Sequence, residues 1–590
     1  MKWEALFTLA VVLATLVLQV RGTLPPVLAL MGANVLLLVG GVISVNEALA
    51  GFSNPAPITV AALFVVAAAV ERTGALQPMV NAALARGGGE RASLLRLLAP
   101  TAAVSAFLNN TPVVALLAPQ VRDWAERRNR ASSRYLMPIS FATMLGGMVT
   151  VVGTSTNLVV SGLMQDAGMA PIGMFEITRV GLPVAVVGVI LLSLVLHRTL
   201  PVRRGARQQF EEEIREYVIH MQVVPAGPLD GVTVEAGGLR HLQGVFLAEV
   251  EREGHSIAPA SPTTHLRGGD RLIFVGRADF IRDLQAMRGL TPDGDGSPPT
   301  APDVSSRTFF EVVVSGTSPV IGRTLKEAEF RGRYQAAVVA IHRAGVRVRA
   351  KLGEVRLREG DTLLLVADPE FGARWRHRSD FLLVAHLGAA PPPSSRRGVL
   401  VGLITVGIVV AAAAGLLPIL HASLLGAVAL VLTGVLSPWE ARASIDLDVL
   451  LVIAASFGLG AAIERSGLAG WIGRAVVTGM DGGHAWAALL AVMLATVVVT
   501  GLITNNAAAI LVFPIAMAAA SQIGADPRPF AIGIAVAASA SFLTPIGYQT
   551  NMMVYALGGY RFTDFFRLGL PLTLAVLATS MLLIPWFWPL

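Results

Sequence analysis

Apolar runs long enough to cross a bilayer limit this chain's fold more than any other feature. They lie at roughly 3–20, 24–43, 57–73, 136–160 and 179–198, and after a long polar interval at about 398–418, 422–436, 447–463, 529–557 and 567–588. In hydrocarbon a backbone must satisfy its own hydrogen bonds, and runs of this length do so as helices. Two further apolar stretches, 94–121 and 485–522, are interrupted near their midpoints by polar residues. Each arm holds only about a dozen residues, too short to span comfortably, so each stretch reads as a re-entrant hairpin with the polar break at its tip. The expected fold class is an α-helical polytopic membrane protein.

Composition agrees. Of 590 residues, 54% are hydrophobic and only 14% charged, with the charges concentrated between about 199 and 397. No cysteine is present, which excludes disulfides, Cys-ligated metals and thiol chemistry. The net charge of +7 comes mostly from arginines in loops beside apolar runs and across a mixed-charge block. The positive-inside rule explains the loop arginines, and nucleic acid is not an expected partner. Residues 3–20 read as a first transmembrane helix and not a signal peptide, because Glu4 interrupts the n-region and LQVRG offers no small-residue cleavage site.

The membrane part is duplicated. VERTG (Val70–Gly74) returns as IERSG (Ile463–Gly467), 393 residues later. Asn110 matches Asn506 at 396, GTSTNL from Gly153 matches GYQTNM from Gly547 at 394, and RVGLP from Arg179 matches RLGLP from Arg567 at 388. Four landmarks in one order at near-constant spacing define a repeated unit of five spans plus one hairpin. Arg86, Arg91, Arg122, Arg127, Arg128, Arg130, Arg134, Arg198, Arg203, Arg204 and Arg207 fall on one side, whereas the opposite loop at 44–56 has neither Lys nor Arg. The arginine side is expected to be cytoplasmic, and an odd number of spans per unit inverts the second repeat. Residues 1–198 thus form the first membrane repeat, with hairpin 94–121 and broken helix 136–160. Residues 398–590 form the second, with hairpin 485–522 and broken helix 529–557.

The block between them repeats at 91 residues: Gly254 pairs with Gly345 and Asp270 with Asp361. Alternating apolar runs (Val245–Val250, Leu272–Val275, Val338–Ile341, Leu363–Val366) predict strands, and the Gly-Asp pairs predict tight turns before strands. Two small, β-rich α/β domains are expected at 205–290 and 304–390, with linkers at 291–303 and 391–397.

Chemistry concentrates in four polar clusters set in apolar surroundings. They are Asn109-Asn110-Thr111 and Gly153-Thr154-Ser155-Thr156-Asn157 in the first repeat, then Thr504-Asn505-Asn506-Ala507 and Thr544-Pro545 with Thr550-Asn551 in the second. Carboxamides at membrane depth are costly unless something polar binds there. A broken helix frees carbonyls that can ligate a dehydrated cation, and its half-helix N-termini favour an anion. None of the clusters holds Asp, Glu or His, so charge neutralisation is expected from co-bound cations and helix ends. A single such cluster would be explained equally well as glue between helices; four at matched positions favour a site. Glu71-Arg72 and Glu464-Arg465 read as helix caps in preference to a proton relay, and Asp446 and Asp448 as N-terminal helix charges. His421 and His484 stand alone, and His220, His241, His255, His265, His342 and His377 show no zinc spacing. No P-loop, GxSxG or dinucleotide fingerprint is present, so the chain is not read as an enzyme or an ATP-driven pump.

SAFLNNTPVVALLAP, GTSTNLVVSG, TNNAAAILVFPIA and ASFLTPIGYQTNMMVY resemble the signature segments of the divalent anion/sodium symporter family of the ion transporter superfamily. The insert resembles tandem RCK C-terminal (TrkA-C) domains. The resemblance implies an inverted-repeat elevator transporter, usually a homodimer, multi-pass in the plasma membrane, with the insert cytoplasmic and open to a small regulatory ligand. It implies Na⁺ as the coupling ion, with H⁺ less favoured, and no other metal or cofactor. The implied Na⁺ set is Asn109, Asn110, Gly153, Ser155, Asn157, Thr504, Asn505, Asn506, Thr544 and Pro545. The implied anion set is Asn110, Thr111, Thr154, Asn506, Ala507, Thr550 and Asn551. The family's Ser-Asn-Thr pattern is altered here, with Asn109 and Asn505 in place of the leading Ser and Ala507 in place of the second Thr. The loss of a hydroxyl makes a smaller oxyanion such as sulfate at least as good a candidate as a dicarboxylate. A channel or sensor under RCK-type control lacks a TVGYG-like filter here. An export antiporter for arsenite or Na⁺/H⁺ is the remaining alternative.

Overall fold

The computed structural model describes residues 2–203, 218–292, 309–386 and 396–590, apart from short breaks within those ranges. Most of the expected linkers at 291–303 and 391–397 lies outside the described residues, as do Gly254, Gly345, His241, His377, Arg86, Arg204 and Arg207. The chain forms two compact units. One comprises Met1–Arg203, Pro391–Tyr555 and Tyr560–Leu590, and the other Arg204–Ala390 with Ala556–Gly559.

The first unit is helical, and its two halves present the same elements in the same order. The first half contains Trp3–Arg21, Pro26–Val39, Val45–Ser53, Pro55–Thr73 and Gln77–Ala85. The hairpin Glu90–Ser105 and Asn110–Arg127 follows, then the pair Ser133–Gly147 and Ser155–Asp166, and finally Thr178–Leu194. The second half contains Arg396–Ala413, Ile419–Leu432, Pro438–Ala443, Leu447–Arg465 and Leu468–Thr478. Its hairpin is Ala485–Thr500 and Asn505–Ile523, its pair Pro527–Ser539 and Gln549–Leu557, and its last helix Phe562–Phe587. Among the described residues, four helices are long and apolar enough to cross a membrane: Val45–Thr73 taken together, Leu447–Arg465, Asn505–Ile523 and Phe562–Phe587. Large apolar side chains such as Leu28, Val39, Leu403, Leu432 and Leu582 are exposed, a surface suited to hydrocarbon and not to water.

Four short helices were not anticipated, because none is long enough to register as a span. Two of them open on matched capping boxes, Ser44 with Glu47 and Ser437 with Glu440, which satisfy the free N–H groups of a first turn. Those carboxylates also meet the repeated arginines crosswise. Arg465 Nη1 lies 3.1 Å from Glu47 Oε1, and Arg72 pairs with Glu440. The arginines of the two Glu-Arg pairs expected to be helix caps therefore also tie each half to the other. Exposed pairs of this kind contribute at most about 1 kcal/mol each, so their role is register more than stability. Beneath them Leu30, Leu37, Ala455 and Leu459 pack in one core with Ala507, Ala508 and Leu511 of the second hairpin.

The second unit carries two antiparallel five-stranded sheets. The strands β1 (Val218–Val223), β2 (Val245–Arg252), β3 (His255–Ile257), β4 (Arg271–Gly276) and β5 (Leu290–Pro292) run in the order β3-β2-β4-β1-β5. Their counterparts β6 (Phe309–Val314), β7 (Ala336–Arg343), β8 (Val346–Arg347), β9 (Thr362–Ala367) and β10 (Phe381–His386) run β10-β6-β9-β7-β8, the same topology. The Gly-Asp turns are structural in both. Gly269 and Gly360 take φ of +92° and +76°, a region that favours glycine. Asp270 and Asp361, 2% and 0% exposed, are each held by two nitrogens of one arginine. Arg252 reaches Asp270 at 2.8 and 2.6 Å, and Arg343 reaches Asp361 at 2.8 Å twice.

Candidate substrate and cation site

In each half, one helix ends and another begins at the hairpin tip, and the same happens at the broken helix. Four N-termini thus fall on the four polar clusters: Asn110, Ser155, Asn505 and Gln549. The ends at Ser105, Gly147, Thr500 and Ser539 leave carbonyls without helical partners. Gly153 in one half, and Pro545 and Gly547 in the other, disfavour a regular helix where the apolar run breaks.

Each break is braced from within by the same hydrogen bonds. Asn157 Nδ2 donates to the carbonyls of Gly147 (3.3 Å) and Thr150 (2.9 Å). Asn551 Nδ2 donates to those of Ser541 (2.8 Å) and Thr544 (3.2 Å). The break is then fastened to its own tip: Thr150 Oγ1 donates to the Ala106 carbonyl, and Thr544 Oγ1 to that of Gly501 at 2.9 Å. The backbones approach so closely that a Cβ on Gly153 would lie 2.9 Å from the Ala106 oxygen, and one on Gly547 2.5 Å from that of Thr500.

Tips and breaks also pair across the halves. At the first tip Asn110, 2% exposed, accepts from Ser105 Oγ at 2.6 Å and donates through Nδ2 to Tyr548 Oη at 2.6 Å. Thr111 Oγ1 reaches Gln549 Oε1 at 3.3 Å. At the second tip Asn506 Oδ1 accepts the hydroxyls of Ser155 (3.1 Å) and Thr156 (3.2 Å), while Asn505 Nδ2 donates to Thr156 Oγ1 at 2.6 Å. With its oxygen doubly engaged, Asn506 has its two N–H donors left for an acceptor. The buried Oδ1 of Asn157 and Oγ1 of Thr504 have no hydrogen-bond partner among the described residues. They are oxygens of the kind that ligate a hard cation.

The remaining predicted residues are placed as follows. Asn109 and Thr504 are the residues before the two tip helices, with no side-chain cap, and Ala507 and Pro545 are buried. Thr154 immediately precedes the helix at Ser155. Thr550 and Asn551 are fully buried, and Ser140 Oγ donates to Thr550 Oγ1 at 2.9 Å and Asn551 Oδ1 at 2.8 Å. Their hydrogen bonds go to protein, which makes them braces. Ser105, Ser140, Thr150, Tyr548 and Gln549 were not singled out from the sequence. Ser105 and Thr500 are the last residues of the first helix in each hairpin, just ahead of the two Asn tips, a signal open to inspection. Tyr548 reads as one more apolar residue until its hydroxyl is placed.

Residues 10–482 match a family model described as citrate transporter, and residues 394–590 one described as sodium:sulfate symporter transmembrane region. A Chlamydomonas reinhardtii protein named as a candidate sulfur deprivation response regulator is 35% identical over 97% of this chain and 100% of its own length. The sodium/sulfate cotransporter 1 of that alga is 25% identical over 90% of this chain and 84% of its own. An uncharacterized Escherichia coli transporter is 30% identical over the full length of both chains.

Proposed function

The chain belongs to the divalent anion/sodium symporter family, and on that premise we propose that it is a Na⁺-coupled importer of a small divalent oxyanion, sulfate first. The observation that carries this reading is the crosswise pairing of tips and breaks around four helix N-termini, within clusters free of Asp, Glu and His. Sulfate offers only acceptors. Asn506 Nδ2, the Tyr548 hydroxyl and the helix N-termini offer donors and positive dipole ends. Na⁺ is assigned to the carbonyl side, near Asn157 Oδ1 and Thr504 Oγ1 with Asn109, Gly153 and Thr544 alongside. It supplies the positive charge that the side chains lack. The names of the algal sodium/sulfate cotransporters, similar over 90% of this chain, support sulfate over citrate.

The two halves are read as inverted repeats that move the hairpins and broken helices across a plasma membrane in elevator fashion, in a homodimer. The insert is read as a pair of RCK-C-like domains on the cytoplasmic side that respond to a small ligand. Purified protein in liposomes, given radiolabelled sulfate with and without a Na⁺ gradient, tests the reading. Uptake should require Na⁺ and fall to background in Asn110→Ala and Asn506→Ala that still insert as monodisperse protein. Unchanged uptake in both variants would refute it.

A further inference from the structure

The two breaks share a backbone plan but not their side chains. Thr154-Ser155 lead into the second half of the first broken helix, whereas Tyr548-Gln549 stand 394 residues later at the matched place in the second. We propose that Tyr548 sets which anion the site admits, accepting a compact tetrahedral oxyanion and excluding a longer dicarboxylate. This rests on the symporter reading above and adds to it the residue that selects the cargo.

Three observations carry it. Tyr548 is 9% exposed, so its ring occupies the interior where small Thr and Ser side chains stand in the other half. Its hydroxyl reaches out of the second break to the first tip, accepting from Asn110 Nδ2 at 2.6 Å and lying beside Thr154 of the first break. One phenol thus touches clusters from both halves. Finally, a phenol oxygen that accepts from Asn110 keeps its own proton to donate, and Asn506 keeps its Nδ2 hydrogens because Ser155 and Thr156 occupy its oxygen.

The consequence is geometric. Sulfate presents four oxygens around one centre and needs donors that converge on a point; Tyr548 from the second break and Asn506 from the second tip both reach the first break, the one beside Thr154 and the other at Ser155 and Thr156. A four-carbon dicarboxylate needs a second set of donors several ångströms away. The symmetry of the fold would put that set at the second break, where the Tyr548 ring now fills the space. A pocket that hydrogen-bonds its ligand rejects a misfit more strongly than an apolar one, because buried donors are left unpaired.

The test uses full-length wild-type protein, Tyr548→Phe and Tyr548→Thr in liposomes with a Na⁺ gradient, with sulfate uptake competed by succinate and citrate. Phe keeps the bulk and removes the donor, so apparent KM for sulfate should rise about tenfold or more while sulfate stays preferred. Thr copies the first break, so the preference for sulfate over succinate should fall by at least tenfold. If Tyr548→Thr does not fold, Tyr548→Phe alone decides through the sulfate KM. Wild-type KM in Phe, or wild-type selectivity in a folded Thr variant, would overturn the assignment with the transport reading intact. Na⁺-independent behaviour or no uptake in wild-type protein would overturn both.

Discussion

At Gly153 and Gly547 the backbone of each break runs so near its own tip helix that an added Cβ would come within 3 Å of a carbonyl there, so a single methyl group tests that close approach. In Gly547→Ala the new Cβ would start 2.2 Å from Ser541 Oγ and 2.5 Å from the Thr500 oxygen, against 3.4 Å for ordinary contact, so the hydroxyl must swing aside and the backbone must move about 0.9 Å. In Gly153→Ala it would start 2.7 Å from the Gly147 oxygen and 2.9 Å from that of Ala106, a displacement of roughly 0.5–0.7 Å. Misplacing a reactive or binding group by about 1 Å costs on the order of 10²-fold. Here the displaced carbonyls belong to the proposed cation side. Gly547→Ala should therefore lower Na⁺-driven uptake about 10²-fold, and Gly153→Ala somewhat less, with the loss seen first as a raised Na⁺ requirement. Gly32→Ala is the control, since a Cβ there meets nothing within 4 Å and alanine favours a helix by up to about 1 kcal/mol. Uptake is measured in liposomes at several Na⁺ concentrations, after size-exclusion chromatography shows that each variant is monodisperse. Wild-type rates and Na⁺ dependence in both glycine variants would refute the claim that this close approach builds the site.

Two further perturbations probe stability. Asp564, 1% exposed, accepts from Arg203 Nε at 2.9 Å and Nη2 at 3.1 Å. Only the carboxylate is buried, and Arg203, 23% exposed, keeps some access to solvent, so Asp564→Asn should lose about 1–3 kcal/mol, read as a lower apparent Tm in detergent, and Arg203→Gln added to it should recover part of the loss. In the insert, His342 is 2% exposed and burial pushes its imidazole down from 6.5 to about 4. A base with a depressed folded pKa is stabilising above 6.5, and that stability drains away as pH falls towards 4. The gap is worth roughly 3 kcal/mol at 1.36 kcal/mol per pH unit. Protease resistance of the insert in the full chain should fall across that window and should lose that pH dependence in His342→Leu.

The sequence made the four clusters legible for an energetic reason: carboxamides and hydroxyls inside apolar runs are expensive, so their presence points to a use. It also made the repeat legible, because spacing survives where side chains drift. It could not make the pairing legible. The bonds that assemble the site join Asn110 to Tyr548 across 438 positions and Asn506 to Ser155 across 351, and no local pattern encodes such a choice. The same reasoning explains why Arg72 and Arg465 looked like caps. A helix end and an ion pair to a partner 368 residues away use the same residue type, and only the matched capping boxes at Glu440 and Glu47 tell them apart. Tyr548 is the sharpest case. An aromatic ring at membrane depth counts as hydrophobic in any reading of periodicity, yet its one polar atom is placed where two halves of a duplicated fold meet. Duplication makes two equivalent positions, and function enters where they stop being equivalent. The residues to weigh most in such a chain are therefore those where one copy keeps a small hydroxyl and the other has replaced it.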